Sequence, residues 1–244
     1  MKFKLEFALK ETRLPVDHVR CFISFLKKSL QSADEMAYRA LYESQTPLMK
    51  PYTFALYLPQ RRVVGDELHL GGERIHLTFS CADVALAIAF LNGFTEQKNE
   101  VFTLPKGNEM TLVRFTTEMH PILDAKTLTV RFLSPLLVLK RDAKQRQNCY
   151  LTCQDDDFIS QLKENLALQL TQFSMNPALA ETFELVPMQP KRVGQRVFGQ
   201  LVLGNLGVYQ ISGDPALLQF LYEAGLGSRR SAGFGLFEPI SINE

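Results

Sequence analysis

Gly225-Leu-Gly-Ser-Arg-Arg-Ser-Ala-Gly-Phe-Gly235 decides how the rest of this chain is read. Four glycines, two adjacent arginines and two serines share eleven residues. Glycine permits positive φ and a close approach of backbone to ligand. Successive amides in such a turn form a concave anion site, and Arg229 and Arg230 add donors whose geometry suits phosphate. The plain alternative is a turn between a helix and a last strand. Two nucleotide motifs are excluded. No lysine follows these glycines as a P-loop requires, and a dinucleotide fingerprint needs glycine where Arg230 stands. The surrounding order is also wrong for both. Asp214-Pro215 reads as a helix start, and Leu217, Phe220, Leu221 and Ala224 recur at helical spacing. Gly225 ends that helix, and Phe234–Ile240 reads as a closing strand.

Working outward, the second half contains a long strand over Leu128–Leu139, with Pro135 suggesting an edge or a bulge. Tyr150–Thr152 leads to a helix over Asp155–Phe173, and Phe183–Pro187 and Arg196–Val202 read as strands. In the first half, Phe3, Leu5, Phe7 and Leu9 alternate with polar residues as a half-buried strand does. A helix follows Pro15 and Asp17, with Val19, Phe22, Ile23, Leu26 and Leu30 on one stripe. Ser32–Glu35 reads as a capping box opening a second helix to Tyr42. Next come a strand over Thr53–Leu58 and a turn at Gly65-Asp66. Leu68–Leu70 and Ile75–Phe79 read as a hairpin about Gly71-Gly72. A helix over Asp83–Leu91 ends at Gly93, and strands over Val101–Leu104 and Met110–Phe115 complete the half. Each half has the βαββαβ order of a ferredoxin-like domain. The expected architecture is α+β: two tandem ferredoxin-like (RRM-like) domains, 1–122 and 123–244, with a cleft between their sheets.

The final loop, together with KFKLEFAL, LPVDHVRCFISFLKKSL, KPYTFALYLP and LTVRFLSPLLVLKR in that order, resembles the RAMP superfamily of CRISPR-associated proteins. More narrowly, it resembles the endoribonucleases that cut precursor CRISPR RNA within its repeats, the Cas-six family. The resemblance covers nearly the whole chain. It implies binding of CRISPR repeat RNA through Gly225, Gly227, Ser228, Arg229, Arg230, Ser231, Gly233 and Gly235. The basic clusters Lys140–Arg146 and Lys191–Arg196 join that surface, with Lys140, Arg141, Lys191, Arg192 and Arg196 as candidate contacts. Phe234 either stacks on a base or belongs to the core.

Composition discriminates less. A net charge of +1 over 244 residues does not by itself point to nucleic acid, so an RNA site must arise from local clustering. No apolar run approaches the roughly 20 residues of a membrane span, and the opening alternation is not a signal peptide. Cys21, Cys81, Cys149 and Cys153 are too few for a disulfide framework, and Cys149 and Cys153 lack partners for a zinc site. A cytoplasmic protein with reduced thiols, no cofactor and no metal is expected.

The resemblance implies metal-independent cleavage, in which a ribose 2′-OH attacks the adjacent phosphate and leaves a 2′,3′-cyclic phosphate and a 5′-OH. The family's lysine matches Lys50, before Pro51-Tyr52-Thr53-Phe54. Its histidine position falls on Tyr42, and its first-helix position on Lys27 or Lys28. The candidate catalytic set is therefore Tyr42, Lys50, Lys28 and Tyr38. Tyr38 and Tyr42 share a helix face at i, i+4. That face points at the cleft if Met36, Ala37, Ala40 and Leu41 take the core side; otherwise both tyrosines are packing residues. Nearby lysines would favour phenolate. His18, His69, His76 and His120 all lie off the second helix and read as structural or surface residues. A second function class stays open: a non-catalytic protein that retains CRISPR RNA for an interference complex. Homodimers are a further expectation by analogy alone.

Overall fold

The alternation of Phe3, Leu5, Phe7 and Leu9 with polar neighbours builds β1 (Lys2–Leu9), the central strand of the first sheet. In chain order there follow β2 (Arg13–Pro15), α1 (Val19–Ala33), α2 (Glu35–Tyr42), β3 (Tyr52–Tyr57), β4 (Arg62–Val64), β5 (Glu67–His69), β6 (Arg74–Cys81), α3 (Val84–Glu96), β7 (Val101–Thr103) and β8 (Glu109–Glu118). The second half holds β9 (Thr127–Leu136), β10 (Val138–Arg141), β11 (Asn148–Leu151), α4 (Phe158–Gln172), α5 (Leu179–Thr182), β12 (Glu184–Val197), β13 (Gln200–Ser212), α6 (Pro215–Ala224) and β14 (Phe237–Asn243). This computed structural model describes residues 1–45, 48–141 and 148–243. Lys144 and Arg146 of the first basic cluster lie outside the described residues, and the side chain of Arg141 is not described.

The main sheets repeat one plan. The first runs β3-β6-β1-β8-β7 and the second β12-β13-β9-β14, with antiparallel ladders throughout. With the βαββαβ strands of each half numbered in order, both read 2-3-1-4, the ferredoxin-like arrangement. Phe3, Phe7, Phe22, Phe25, Phe79 and Phe94 fill the first core, and Leu128, Val130, Phe158, Leu166, Tyr209 and Phe237 fill the second. Burial of each such side chain is worth about 1.5–3 kcal/mol.

Several local expectations are corrected. Gly71-Gly72 does not turn a hairpin. β5 pairs with β2 and β4, whereas β6 joins β1 and β3, so the two segments belong to different sheets. Gly93 lies inside α3 instead of ending it. A Cβ there would stand 1.9 Å from the Ser29 carbonyl oxygen, so glycine permits α1 and α3 to touch. Asp34 caps α2 by accepting from the Ala37 amide at 2.9 Å, in place of a Ser32 box. The second basic cluster is part of a strand, because β12 and β13 form one long hairpin from Glu184 to Ser212, with a single register shift between Pro187 and Gln189. Pro135 does not mark an edge, since β9 is an inner strand; it lies in the irregularity where the β13–β9 register shifts between Phe132 and Leu136, the other of the two expectations. β14 itself starts at Phe237, and Phe234 is fully buried as core.

The halves are joined by specific contacts. Thr53 Oγ1 donates to the Phe234 carbonyl at 2.7 Å, and Ser80 Oγ to the Glu223 carbonyl at 2.8 Å. The amides of Phe198 and Gly199, at the β12–β13 turn, donate to the Asp17 carboxylate. The Met49 amide donates to Gln172 Oε1 at 2.9 Å, fastening the segment before β3 to the end of α4. Among the described residues, no helix is long and apolar enough to cross a membrane.

Candidate nucleic-acid interface

The segment between α2 and β3 exists because α2 stops at Tyr42 and β3 starts at Tyr52. Its last part brings Lys50 beside Tyr42. The Lys50 and Lys27 ammoniums each stand 4.8 Å from the centroid of the Tyr42 ring. Such cation–π contacts are worth about 0.5–2 kcal/mol each. The Tyr38 ring packs on Tyr42 at 5.4 Å, and Tyr42 Oη meets Tyr52 Oη at 2.5 Å. Among the described residues, neither Lys27 nor Lys50 has a carboxylate partner. Burial lowers the Lys50 pKa, and the positive charge of Lys27 lowers it further.

The structure therefore gathers Tyr42, Tyr38 and Lys50 of the expected catalytic set but leaves Lys28 out. Lys28 is exposed and stands over Phe102, on the other flank of α1. Lys27 takes its place because α2 packs on the flank that carries Ile23 and Lys27. The inward face of α2 is Ala37, Tyr38, Leu41 and Tyr42, while Met36 and Ala40 point to solvent. The expectation that the lysines make phenolate available is also corrected. They lie over the ring, and burial pushes the Tyr42 phenol up to about 12. Its proton stays on at neutral pH.

Lys50 shares a pocket of about 240 Å³ with the glycine-rich loop, where Gly227, Ser228, Arg229, Arg230 and Ser231 meet Asn165 and Gln169 of α4. Ser228 is held by its amide on the Leu137 carbonyl at 2.8 Å and by its hydroxyl on Asn165 Oδ1 at 3.2 Å. Arg229 has φ of +54° and lies over the Tyr150 ring at 5.2 Å. The successive amides of Arg229, Arg230 and Ser231 have no acceptor among the described residues.

The remainder of the loop faces inward. Gly225, Gly233 and Gly235 are buried. A Cβ on them would stand 2.9 Å from Thr53 Cβ, 2.8 Å from Phe54 Cε2 and 1.9 Å from the Leu226 carbonyl oxygen respectively. Arg230 is 4% exposed. It points its guanidinium at the carbonyls of Ala224 and Gly225, at 3.5 and 3.4 Å, over the Phe173 ring. Burial draws its pKa down to about 9, still charged at neutral pH. These four residues are largely buried, although Arg230 contributes to the wall of the pocket beside Lys50 and Gly233 to a second cleft; Arg230 also serves the C-terminal end of α6, where a positive charge is favourable.

The other basic residues lie elsewhere. Lys140, on β10, pairs with Asp157. Lys191 and Arg192 are exposed on β12. Arg196 lines a separate cleft of about 440 Å³ with His18, Arg61, Phe54 and Pro135. His18 is buried, its Nδ1 3.1 Å from the Val16 carbonyl oxygen, and burial pulls its pKa down to about 4. His120 lies at the junction, its Nε2 2.9 Å from Ser80 Oγ. The sequence places the first-helix position on Lys27 or Lys28 and the candidate set takes Lys28, where the structure has Lys27; Tyr52, Asn165 and Gln169 are not among the candidates. Their roles depend on how helices from distant segments pack, which no spacing encodes.

A family model described as CRISPR associated protein Cas6, C-terminal, matches residues 118–239. A Cas6-related protein from Pyrococcus furiosus superposes with a TM-score of 0.84 at 16% identity, over 100% of this chain and 99% of its own. A RAMP protein described as binding different RNA substrates has a TM-score of 0.82 at 17% identity, over 99% of this chain and 100% of its own. A Cas6 product complex has a TM-score of 0.68 at 18% identity, over 98% and 99%. At these identities the likeness establishes the double ferredoxin-like fold. Comparison with curated proteins finds no match.

Proposed function

The chain belongs to the Cas6 family, and on that premise we propose that it is a metal-independent endoribonuclease that binds CRISPR repeat RNA and cuts precursor CRISPR RNA. The observation that carries this reading is the pocket where Lys50, beside Lys27 and Tyr42, faces the outward part of the glycine-rich loop. A phosphodiester laid there would meet the Lys50 amino group and the Arg229 guanidinium, neither with a carboxylate partner among the described residues, and three amides in succession, with Lys27 beside Lys50 on the Tyr42 ring. The RAMP protein with RNA substrates and the Cas6 product complex have the same fold, which adds support. Residues 1–122 and 123–244 act as two domains, the first supplying the lysines and the second the loop.

The chemistry follows from the charges. The 2′-oxygen bonds to phosphorus, the bond to the 5′-oxygen breaks, and negative charge grows on the phosphoryl oxygens. Fixed cations at that point lower the barrier without reorganisation. Of the titratable groups in the cluster, burial moves Lys50 toward its proton-accepting form and moves Tyr42 and Tyr52 away from theirs. Lys50, in its neutral amine form, is thus the candidate acceptor for the 2′-OH proton, Lys27 the phosphorane's counter-charge, and water the donor to the leaving 5′-oxygen. With no histidine in the cluster, turnover is slow and positioning of the RNA carries much of the rate.

One observation favours a second reading. A tyrosine held neutral where the family places histidine suits a protein that retains repeat RNA without cutting it. Cleavage of cognate repeat RNA in EDTA, with a 2′-deoxy substrate as control, separates the two. The endoribonuclease cuts only the all-ribose RNA, and Lys50→Ala lowers its rate about 10²–10³-fold. RNA that is bound yet intact over hours leaves the retention reading.

A further inference from the structure

Two phenols share one hydrogen bond at Tyr42 and Tyr52, so one of the two O–H protons is left over. Tyr52 is 1% exposed, with its ring against Phe79 and Phe90. Tyr42 Oη is its oxygen's only partner among the described residues, at 2.5 Å. A buried hydroxyl without an acceptor costs about 1–3 kcal/mol. Were Tyr42 to donate, the Tyr52 proton would be stranded in the core. Tyr52 therefore donates, Tyr42 accepts, and the spare proton is on Tyr42, the more exposed of the pair. A hydroxyl that accepts one hydrogen bond donates the next more strongly.

We propose that Tyr52 is a positioning residue that commits the Tyr42 hydroxyl to donate to a phosphoryl oxygen of bound phosphodiester, with Lys27 and Lys50 over the same ring. The inference rests on reading this corner as the phosphate site. It gives Tyr42 a task that a neutral phenol can perform: it supplies a proton to share and takes none away. The burial that spoils Tyr42 as a base keeps its proton in place for this purpose. The same bond fixes the Tyr42 ring, and through it the seats of both ammoniums.

The test uses the full chain and the variants Tyr42→Phe, Tyr52→Phe and the double variant, each of which keeps its ring. Binding of inorganic phosphate is followed by the phosphorus NMR line width, and single-turnover cleavage of repeat RNA is measured in parallel, with thermal melting as the check on folding. Tyr42→Phe is expected to weaken phosphate binding and cleavage about tenfold, the worth of one hydrogen bond to a charged group, and Tyr52→Phe to weaken both by a smaller factor of roughly 3–5, since it frees the Tyr42 hydroxyl from its fixed direction without removing it. The double variant is expected to be no worse than Tyr42→Phe. Wild-type phosphate binding in Tyr52→Phe, or a Tyr52→Phe loss that persists undiminished in the Tyr42→Phe background, overturns the proposal. Should Tyr52→Phe fail to fold, Tyr42→Phe decides it, since wild-type phosphate binding there is equally fatal. A phosphate dependence that stands while repeat RNA is neither bound nor cut keeps this inference and removes the endoribonuclease. Cleavage that proceeds with no phosphate dependence on either tyrosine does the reverse.

Discussion

The two halves share one strand order and differ in where they carry polar function. In the first half the candidate groups are side chains, on α1, on α2 and on the segment before β3. In the second they are largely backbone, on the loop between α6 and β14. The first solution exposes charge on long, adjustable stems. The second fixes donors in place but needs the chain to pass through crowded space. That is why the glycines divide as they do. Gly227 borders the pocket and also passes close to the Leu137 carbonyl, Gly225 and Gly233 let the loop press on Thr53 and Phe54 of the first half, and Gly235 lets it fold back on its own Leu226. On the proposed reading the loop is thus both a face for RNA and, through Thr53 and Phe54, the joint between the halves.

The largest effect is expected from loading the joint. Gly233 has φ of +81° and would place a Cβ 2.8 Å from Cε2 of the buried Phe54 ring in the other half. Gly65 has φ of +63° and nothing within 4 Å. Gly233→Ala should cost about 3 kcal/mol, a melting shift of about 6–12 °C at this chain length. Gly65→Ala should cost about 1 kcal/mol, from backbone conformation alone. Equal melting temperatures for the two variants would mean that the loop is not a packed joint.

A smaller effect separates the neighbouring arginines. Arg230→Ala removes the group over Phe173 and the donors to the last carbonyls of α6. A loss of about 2 kcal/mol, or about 4–8 °C, is expected by thermal melting. Since the guanidinium is interior, the slope of log affinity for repeat RNA against log salt should not change. A slope reduced by about 1 would return Arg230 to the RNA surface.

These two residues also mark how far sequence alone reaches. The fold was legible because its signals are periodic and local. Alternation in Phe3–Leu9, the helical stripe from Val19 to Leu30 and the Asp214-Pro215 start all lie where the structure has the matching elements. The failures came where a residue's meaning depends on a distant neighbour. Gly93 looks like a stop signal until Ser29 arrives beside it from α1. Arg229 and Arg230 are indistinguishable in sequence, yet the left-handed turn at Arg229 sends one toward Tyr150 and the other toward Phe173. Lys27 and Lys28 divide in the same manner between Tyr42 and Phe102. Sequence offers adjacent cations as equal candidates, and only packing decides where each of the two lies.

The finest test of that choice is Arg229. Its guanidinium is half-buried over Tyr150 and has no carboxylate partner among the described residues, so its removal costs the fold little, within about 0.5 kcal/mol. A phosphate contact releases a counterion when it forms. Arg229→Ala should therefore weaken binding of repeat RNA at low salt and reduce the salt slope by about 1. Lys28→Ala removes the same charge from an exposed position over Phe102 and should leave the slope as it was. Net charge alone would move both variants equally, because long-range attraction counts charges without regard to place. A difference between them measures contact. If Arg229→Ala and Lys28→Ala lower the slope alike, the pocket beside Lys50 contributes only to the field of the protein, and the phosphodiester lies elsewhere on its surface.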